Sequence, residues 1–297
     1  MSERQPDPLQ ALRTPTLPVA PDREFARALR ARLERALLAP ITQEEVMPEV
    51  LRRDELSRHG TQAGDVSYIA LAVPDAGLAR AFYGSVLGWR FAPGHVEQQG
   101  NQVDAVIPQV GLAGGAAPAS AGAVLGFRVD DLAAAVATVR ARGGDASDPR
   151  REPYGLVADC HDDQGLAFFL HELAAPGSPA PMNGIQHGDI SYVSLQVTDP
   201  DRARDFFGPV LGWTFSPGHA AGGSNVEGPT PMIGLGGDRS GRPGAILCYR
   251  VDDIAAAVGH IRLAGGSATD PVQRPYALES DCTDDQGIRF YLHQFAD

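Results

Sequence analysis

Two loops carry the chemistry most directly legible in the chain. Pro-Gly-His occurs at His95 and again at His219, each followed by an Asn (Asn101, Asn225) and then an acid (Asp104, Glu227). A His with a carboxylate nearby makes a general acid–base couple, because imidazole titrates near neutrality. Further along the second copy, Arg250 and Tyr291 are groups able to steady an oxyanion or move a proton. The catalytic set expected is therefore His219, Glu227, Arg250 and Tyr291. The competing reading of these loops is a Pro-Gly bend whose polar residues face water.

The elements that must position these residues occur twice. DVSYIALAVPDAGLARAFYGSVLGW begins at Asp65, and DISYVSLQVTDPDRARDFFGPVLGW begins at Asp189, 124 residues on (189 minus 65). Each opens with the period-two alternation of a strand. Asp75 or Asp199 is placed to cap a helix, and Leu78, Phe82 and Leu87, or Phe206 and Leu211, are its expected apolar residues. Gly88 or Gly212 supplies a left-handed stop. A short strand is expected at 89–91, then a polar loop and a further strand. AVLGFRVDDLAAAVATVRARGG repeats the strand–Asp–helix order, and YGLVADC and LAFFLHEL close the unit around the turn at His161–Gly165. The second copy matches with AILCYRVDDIAAAVGHIRLAGG and YALESDCTDDQGIRFYLHQF, now offset by 122 (284 minus 162). The body thus reads as four β-α-β-β-β units, an α+β protein.

The rest of the chain is simpler. Residues 1–60 form an N-terminal extension in which prolines break the first stretch and Phe25, Leu29, Leu33 and Leu37 make one stripe of a basic helix. Residues 61–173 and 188–297 are the two repeated domains, and 174–187 is a Pro/Gly-rich linker. A net charge of -12 disfavours nucleic acid. No apolar run approaches the ~18 residues of a membrane span, and the polar N-terminus does not look like a secretory signal. Three cysteines without CxxC spacing fit a reducing compartment, so the cytoplasm is expected. The sequence favours no oligomeric state.

Asp75, Phe82-Tyr83, Leu87-Gly88, Val129-Asp130-Asp131 and Asp162-Asp163-Gln164-Gly165 together resemble the vicinal-oxygen-chelate superfamily, the glyoxalase, bleomycin-resistance and extradiol-dioxygenase group. The resemblance spans nearly all of 65–295, twice over. It implies tandem glyoxalase-like domains whose paired units curl into two incomplete barrels around clefts. It also implies where a metal would sit. The matching positions hold Tyr68, Val124 and Phe169 in the first domain and Tyr192, Ile246 and Tyr291 in the second, with Gln109 and Met232 near the remaining position. These are not the imidazoles and carboxylates a divalent ion needs, so no metal and no cofactor are expected.

Strand alternation then gives the cleft faces. The first is mostly small and apolar, with Tyr68 and Phe169 as its ligand contacts. The second is polar, formed by Tyr192, Ser194, Gln196, Cys248, Arg250, Arg289, Tyr291 and His293. The expected function is metal-independent binding of an aromatic or partly cationic small molecule, for resistance or sequestration. The alternatives are a metal-free lyase, isomerase or cyclase working through the second cleft, and a scaffold acting through the N-terminal helix.

Overall fold

The computed structural model describes residues 62–93, 100–152, 154–173, 186–218, 222–238 and 242–295. All belong to one compact unit, Arg53–Asp297. The N-terminal helix, most of the linker, and both loop histidines, His95 and His219, lie outside the described residues. Among the described residues, no helix is long and apolar enough to cross a membrane.

The first repeat begins with β1 (Val66–Ala72), α1 (Ala76–Leu87), β2 (Phe91–Pro93), β3 (Gly100–Val103) and β4 (Gln109–Ala113). It continues with β5 (Gly122–Arg128), α2 (Leu132–Ala141), β6 (Asp145–Ala146), β7 (Arg150–Glu152), β8 (Gly155–His161) and β9 (Ala167–Leu173). The second repeat runs β10 (Ile190–Val197), α3 (Pro200–Leu211), β11 (Thr214–Pro217), β12 (Ser224–Glu227) and β13 (Ile233–Gly237). Its second unit is β14 (Gly244–Arg250), α4 (Ile254–Leu263), β15 (Ser267–Ala268), β16 (Val272–Gln273), β17 (Leu278–Thr283) and β18 (Arg289–Gln294).

Each repeat makes a mixed sheet. In the first, β1 is parallel to β4 and antiparallel to β5, and β5 is parallel to β9. In the second, β10, β13, β14 and β18 repeat this arrangement. A single bridge, Ala123 to Ala245, joins β5 to β14.

The helices form where the caps predict. The Asp75 carboxylate accepts from the N–H groups of Gly77 and Leu78 at 2.7 and 3.0 Å, and Gly88 closes α1 at φ 67°. Asp199 and Gly212 do the same for α3. Two expectations shift. The buried stripe of α1 is Ala79, Phe82, Tyr83, Val86 and Leu87, while Leu78 is 53% exposed, one position off that face. The strand expected at 89–91 begins two residues later, because Trp89 leaves the ladder and is buried.

The core lies between the repeats, with α1 against α4 and α2 against α3. Phe82, Tyr83 and Trp89 pack with Tyr249 and Phe290 of the other repeat. Phe206, Phe207 and Trp213 pack with Phe127 and Phe168 in the mirror position. Two reciprocal clasps lock this exchange. Trp89 Nε1 donates to the Gly188 carbonyl at 2.9 Å, and Trp213 Nε1 donates to the Gly64 carbonyl at 3.0 Å. Gln286 Oε1 accepts from the Asp75 N–H at 2.7 Å while its amide donates to the Asp75 carbonyl at 3.0 Å. Gln164 holds Asp199 in the same way.

The symmetry fails at two points. Tyr83 donates to Asp284 Oδ2 at 3.1 Å, but the matching residue of α3 is Phe207, and Asp162 Oδ2 is buried without a hydrogen-bond partner among the described residues. Arg202 pairs with Asp163 at 2.7 Å, where α1 offers only Leu78. Phe207→Tyr should therefore supply the missing donor and stabilise the fold by about 1 kcal/mol, read as a higher urea midpoint. Gly188→Ala should cost roughly 2 kcal/mol or more, since Gly188 sits at φ +86° and a Cβ there would lie 2.5 Å from the Leu87 carbonyl oxygen. An unchanged midpoint in Gly188→Ala would remove the clasp from this account.

Candidate functional site

The faces of β10, β14, β17 and β18 opposite the inter-repeat core are where the predicted residues meet. Along β10, Val193, Leu195 and Val197 are buried, while Tyr192, Ser194 and Gln196 are half-exposed on the other face. Register sets two rows across the strands, and paired residues share a face. In one row Tyr192 pairs with Cys248, Cys248 with Tyr291, and Tyr291 with Asp281. In the other, Arg250 pairs with His293, His293 with Glu279, and Glu279 with Val272. Cys248, rather than the Ile246 expected from the resemblance, therefore lies between Tyr192 and Tyr291; Ile246 pairs with Ser194. A hollow of about 520 Å³ opens over the outer strands, and Ser267, Thr269, Asp281, Thr283, Arg289 and Tyr291 are among its lining residues.

Tyr192, Cys248 and Tyr291 of the first row are held in their protonated forms. Burial, reinforced by Cys248, Tyr291 and Glu279, raises the Tyr192 phenol; burial followed by Asp281 raises Tyr291. Burial pushes the Cys248 thiol well above its usual range. The Tyr192 ring reaches over Gly234, where any Cβ would collide with its hydroxyl. The polar cleft thiol expected from the sequence is thus an enclosed one, since Cys248 is buried.

The second row holds a network that the sequence did not disclose. Glu279 lies 3.4 Å from His293 Nε2 and accepts from Tyr276 Oη at 2.8 Å and Arg274 Nε at 3.1 Å. Hydrogen bonding from His293 first, then from Tyr276 and Arg274, overcomes burial and lowers the Glu279 carboxyl to about 2. His293 Nδ1 lies 3.3 Å from Ser191 Oγ. His293, expected among the ligand contacts of the second cleft, is only 4% exposed, and its counterpart His171 is buried too. Arg250 stacks over Phe295 at 5.9 Å.

Other predicted residues lie further away. Glu227 is exposed on β12, two strands from β10, and accepts from Ser216 Oγ. Ser194 and Gln196 bond to each other at 2.6 Å. Arg289 is exposed near the hollow's rim. In the first repeat Tyr68 accepts from Gln102 at 3.4 Å, and its ring lies 6.0 Å from that of Phe169. Phe169 covers Gly126, the position Cys248 fills in the second repeat. Glu279 was legible in principle: LESDCT alternates Glu279 and Asp281 with Ser280 and Cys282, which are buried. Ser191 was not, because the register slips between Ile190 and Tyr192 and leaves both Ser191 and Tyr192 off the core.

The Glu279 network predicts an acid transition. Its folded value near 2 lies below the ordinary 4.5, so its contribution is complete above the unfolded value and lost as pH falls toward 2. At pH 7, Glu279→Gln should be less stable by roughly 2 kcal/mol, and the gap should close between pH 4.5 and 2. Parallel pH–stability curves for the two proteins would contradict this.

Among the described residues, no cluster of three or more His, Cys, Asp or Glu is placed to hold a metal ion. Residues 65–170 match the family model described as Glyoxalase/Bleomycin resistance protein/Dioxygenase superfamily. No curated protein matches the chain in sequence. Solved structures do. The 2,3-dioxygenase LapB from a Pseudomonas species is 16% identical with a TM-score of 0.59, covering 80% of this chain and 94% of that one. The Mn(II)-bound glyoxalase from Novosphingobium aromaticivorans is 18% identical with a TM-score of 0.60, over 78% and 82%. The 2,2',3-trihydroxybiphenyl 1,2-dioxygenase from Sphingomonas wittichii is 16% identical with a TM-score of 0.58, over 78% and 91%. At such identities the likeness is one of fold. The superfamily match is thus carried by residues 65–170, in the first repeat, and the solved structures share the fold across both repeats.

Proposed function

We propose that the protein binds a small aromatic or partly cationic molecule on the concave face of its second repeat, without a metal ion. The observation that carries this reading is the Tyr192–Cys248–Tyr291 row. The half-exposed Tyr192 and Tyr291 phenols, held in their protonated forms on either side of the buried Cys248, offer O–H groups that suit hydrogen bonding to a ligand. A divalent ion instead needs anionic or imidazole donors. Rings and carboxylates supply the remaining complementarity. Tyr192, Tyr276 and Phe295 surround His293 at ring-centroid distances of 6.3, 5.7 and 5.9 Å. Glu279 and Asp281 provide negative charge on the same face. The first repeat, with Tyr68 and Phe169 against two glycines, has fewer groups with which to orient a ligand. Sequestration or resistance is the role such binding fits.

A second reading, a metal-free lyase, isomerase or cyclase, is favoured by one specific observation: the Glu279–His293 pair is an oriented acid–base couple. Arg250 and Tyr291 lie beside it, while Glu227 stands two strands from β10.

Metal analysis of protein purified without chelator, followed by calorimetry with a panel of aromatic amines and phenols, tests the proposal. The expected result is less than stoichiometric metal, a ligand binding below millimolar, and affinity unaffected by chelator. The double variant Tyr192→Phe, Tyr291→Phe should weaken binding about tenfold, the loss of one to two hydrogen bonds. Stoichiometric metal in the wild-type protein, or affinity unchanged in the double variant, would overturn the reading.

A further inference from the structure

His293 is almost fully enclosed, and each of its ring nitrogens already has a partner: Glu279 Oε2 at 3.4 Å from Nε2 and Ser191 Oγ at 3.3 Å from Nδ1. Its basicity reaches the surface through Ser191, which the β10 irregularity leaves half-exposed. We propose that Ser191, His293 and Glu279 form a nucleophilic triad, and that the second repeat can cleave carboxylic esters bearing an aromatic group. This goes beyond ligand binding and rests on the strand geometry alone.

The arrangement meets the requirements of an activated hydroxyl. Glu279, held by Tyr276 and Arg274, fixes the tautomer with the proton on Nε2, which frees the Nδ1 lone pair to face Ser191. The Ser191 hydroxyl turns from the Cys248 carbonyl toward Nδ1, and Oγ bonds to the ester carbonyl carbon as its proton passes to Nδ1. Collapse of the tetrahedral intermediate breaks the carbon–oxygen bond to the alcohol, which leaves with that proton. A water molecule attacks the acyl-serine in the same way, releasing the acid and restoring the hydroxyl. Glu279 is negatively charged at neutral pH and stabilises the imidazolium formed in each step. Tyr276 and Phe295, 46% and 36% exposed, flank His293 and form an aromatic surface beside the hydroxyl.

The first repeat is a built-in comparison. Ser67 lies 3.3 Å from His171 Nδ1, as in the second repeat. There, however, Nε2 faces the Tyr154 carbonyl at 3.3 Å, and Val157 stands at the strand position of Glu279. Burial lowers the His171 imidazole. Among the described residues no carboxylate supports a charge on it, so Ser67 is not activated.

The full chain should be treated with a fluorophosphonate probe and followed by intact mass and peptide mapping, with p-nitrophenyl benzoate hydrolysis assayed in parallel. One adduct at Ser191 is expected. Ser191→Ala should abolish both labelling and hydrolysis, Glu279→Gln should slow both by about tenfold or more, and Ser67→Ala should change neither. Ser191 Oγ also donates to the Cys248 carbonyl at 3.2 Å, so each variant's thermal midpoint is measured. If Ser191→Ala does not fold, His293→Gln serves in its place. No adduct on wild-type protein, or labelling that survives Ser191→Ala or His293→Gln, overturns the triad. Neither of those results bears on calorimetric ligand binding.

Discussion

The exchange of aromatic residues between the repeats, closed by the Trp–Gly and Gln–Asp clasps, is the constraint on which the rest of the structure depends. Each helix that starts after the first strand of a repeat, with the Trp that follows it, packs aromatic side chains on the other repeat. Aromatic side chains contribute large buried areas, and here those areas exist only when both repeats are present. The clasp geometry depends on glycine for a definite reason. Gly64 and Gly188 take φ of +90° and +86°, and their carbonyls receive the indole N–H groups. Gly144 and Gly266 leave room for Phe206 and Phe82 of the opposite repeat, since a Cβ at either would lie within 3 Å of the facing ring. The Asp-Asp-Gln-Gly turn belongs to this interface. Its first Asp ties the turn by accepting from the N–H groups two and four residues on, and its Gln reaches across to the capping Asp of the other repeat.

With the helical faces committed to that interface, the opposite faces of the two sheets are left to diverge. Divergence is greatest where a single residue changes what its neighbours can do. Gly126 lets Phe169 lie flat and fill the first concave face; Cys248 at the matching place denies Tyr291 that position. Val157 leaves His171 facing only a backbone carbonyl, whereas Glu279 gives His293 a carboxylate. Differences at a few equivalent strand positions thus separate an apolar face from a polar one with an ion network.

Much of this was legible in the residues. The caps Asp75, Asp131, Asp199 and Asp253 and the stops Gly88 and Gly212 placed the four helices of the described residues, because capping is local and needs no knowledge of the partner surface. Alternation along β10 gave Tyr192, Ser194 and Gln196 their common face. What escaped was non-local or irregular. Gln164 and Gln286 looked like turn residues, yet their bonds span 35 and 211 positions. Ser191 was hidden by a register slip that strict period-two counting cannot represent. Glu279 shares a face with His293 only through the pairing of β17 with β18, a non-local register. Leu78 fits an apolar stripe but is exposed where the matching Arg202 forms an ion pair.

The two repeats also show why a duplicated fold can hold a functional network at little cost to stability. A buried charged network is expensive unless every member is satisfied. Glu279 meets that condition through three donors, one of which, Arg274, replaces the acid Glu152 at the matching place in the first repeat. The pairing of Glu279 with His293 is therefore one part of a set of changes that only works together. Reverting Arg274 to an acid alone would set two carboxylates side by side, and reverting Glu279 alone would leave Arg274 and His293 without their anion. The first repeat keeps the same strands with His171 facing a backbone carbonyl and Val157, so the strand framework itself does not require the network.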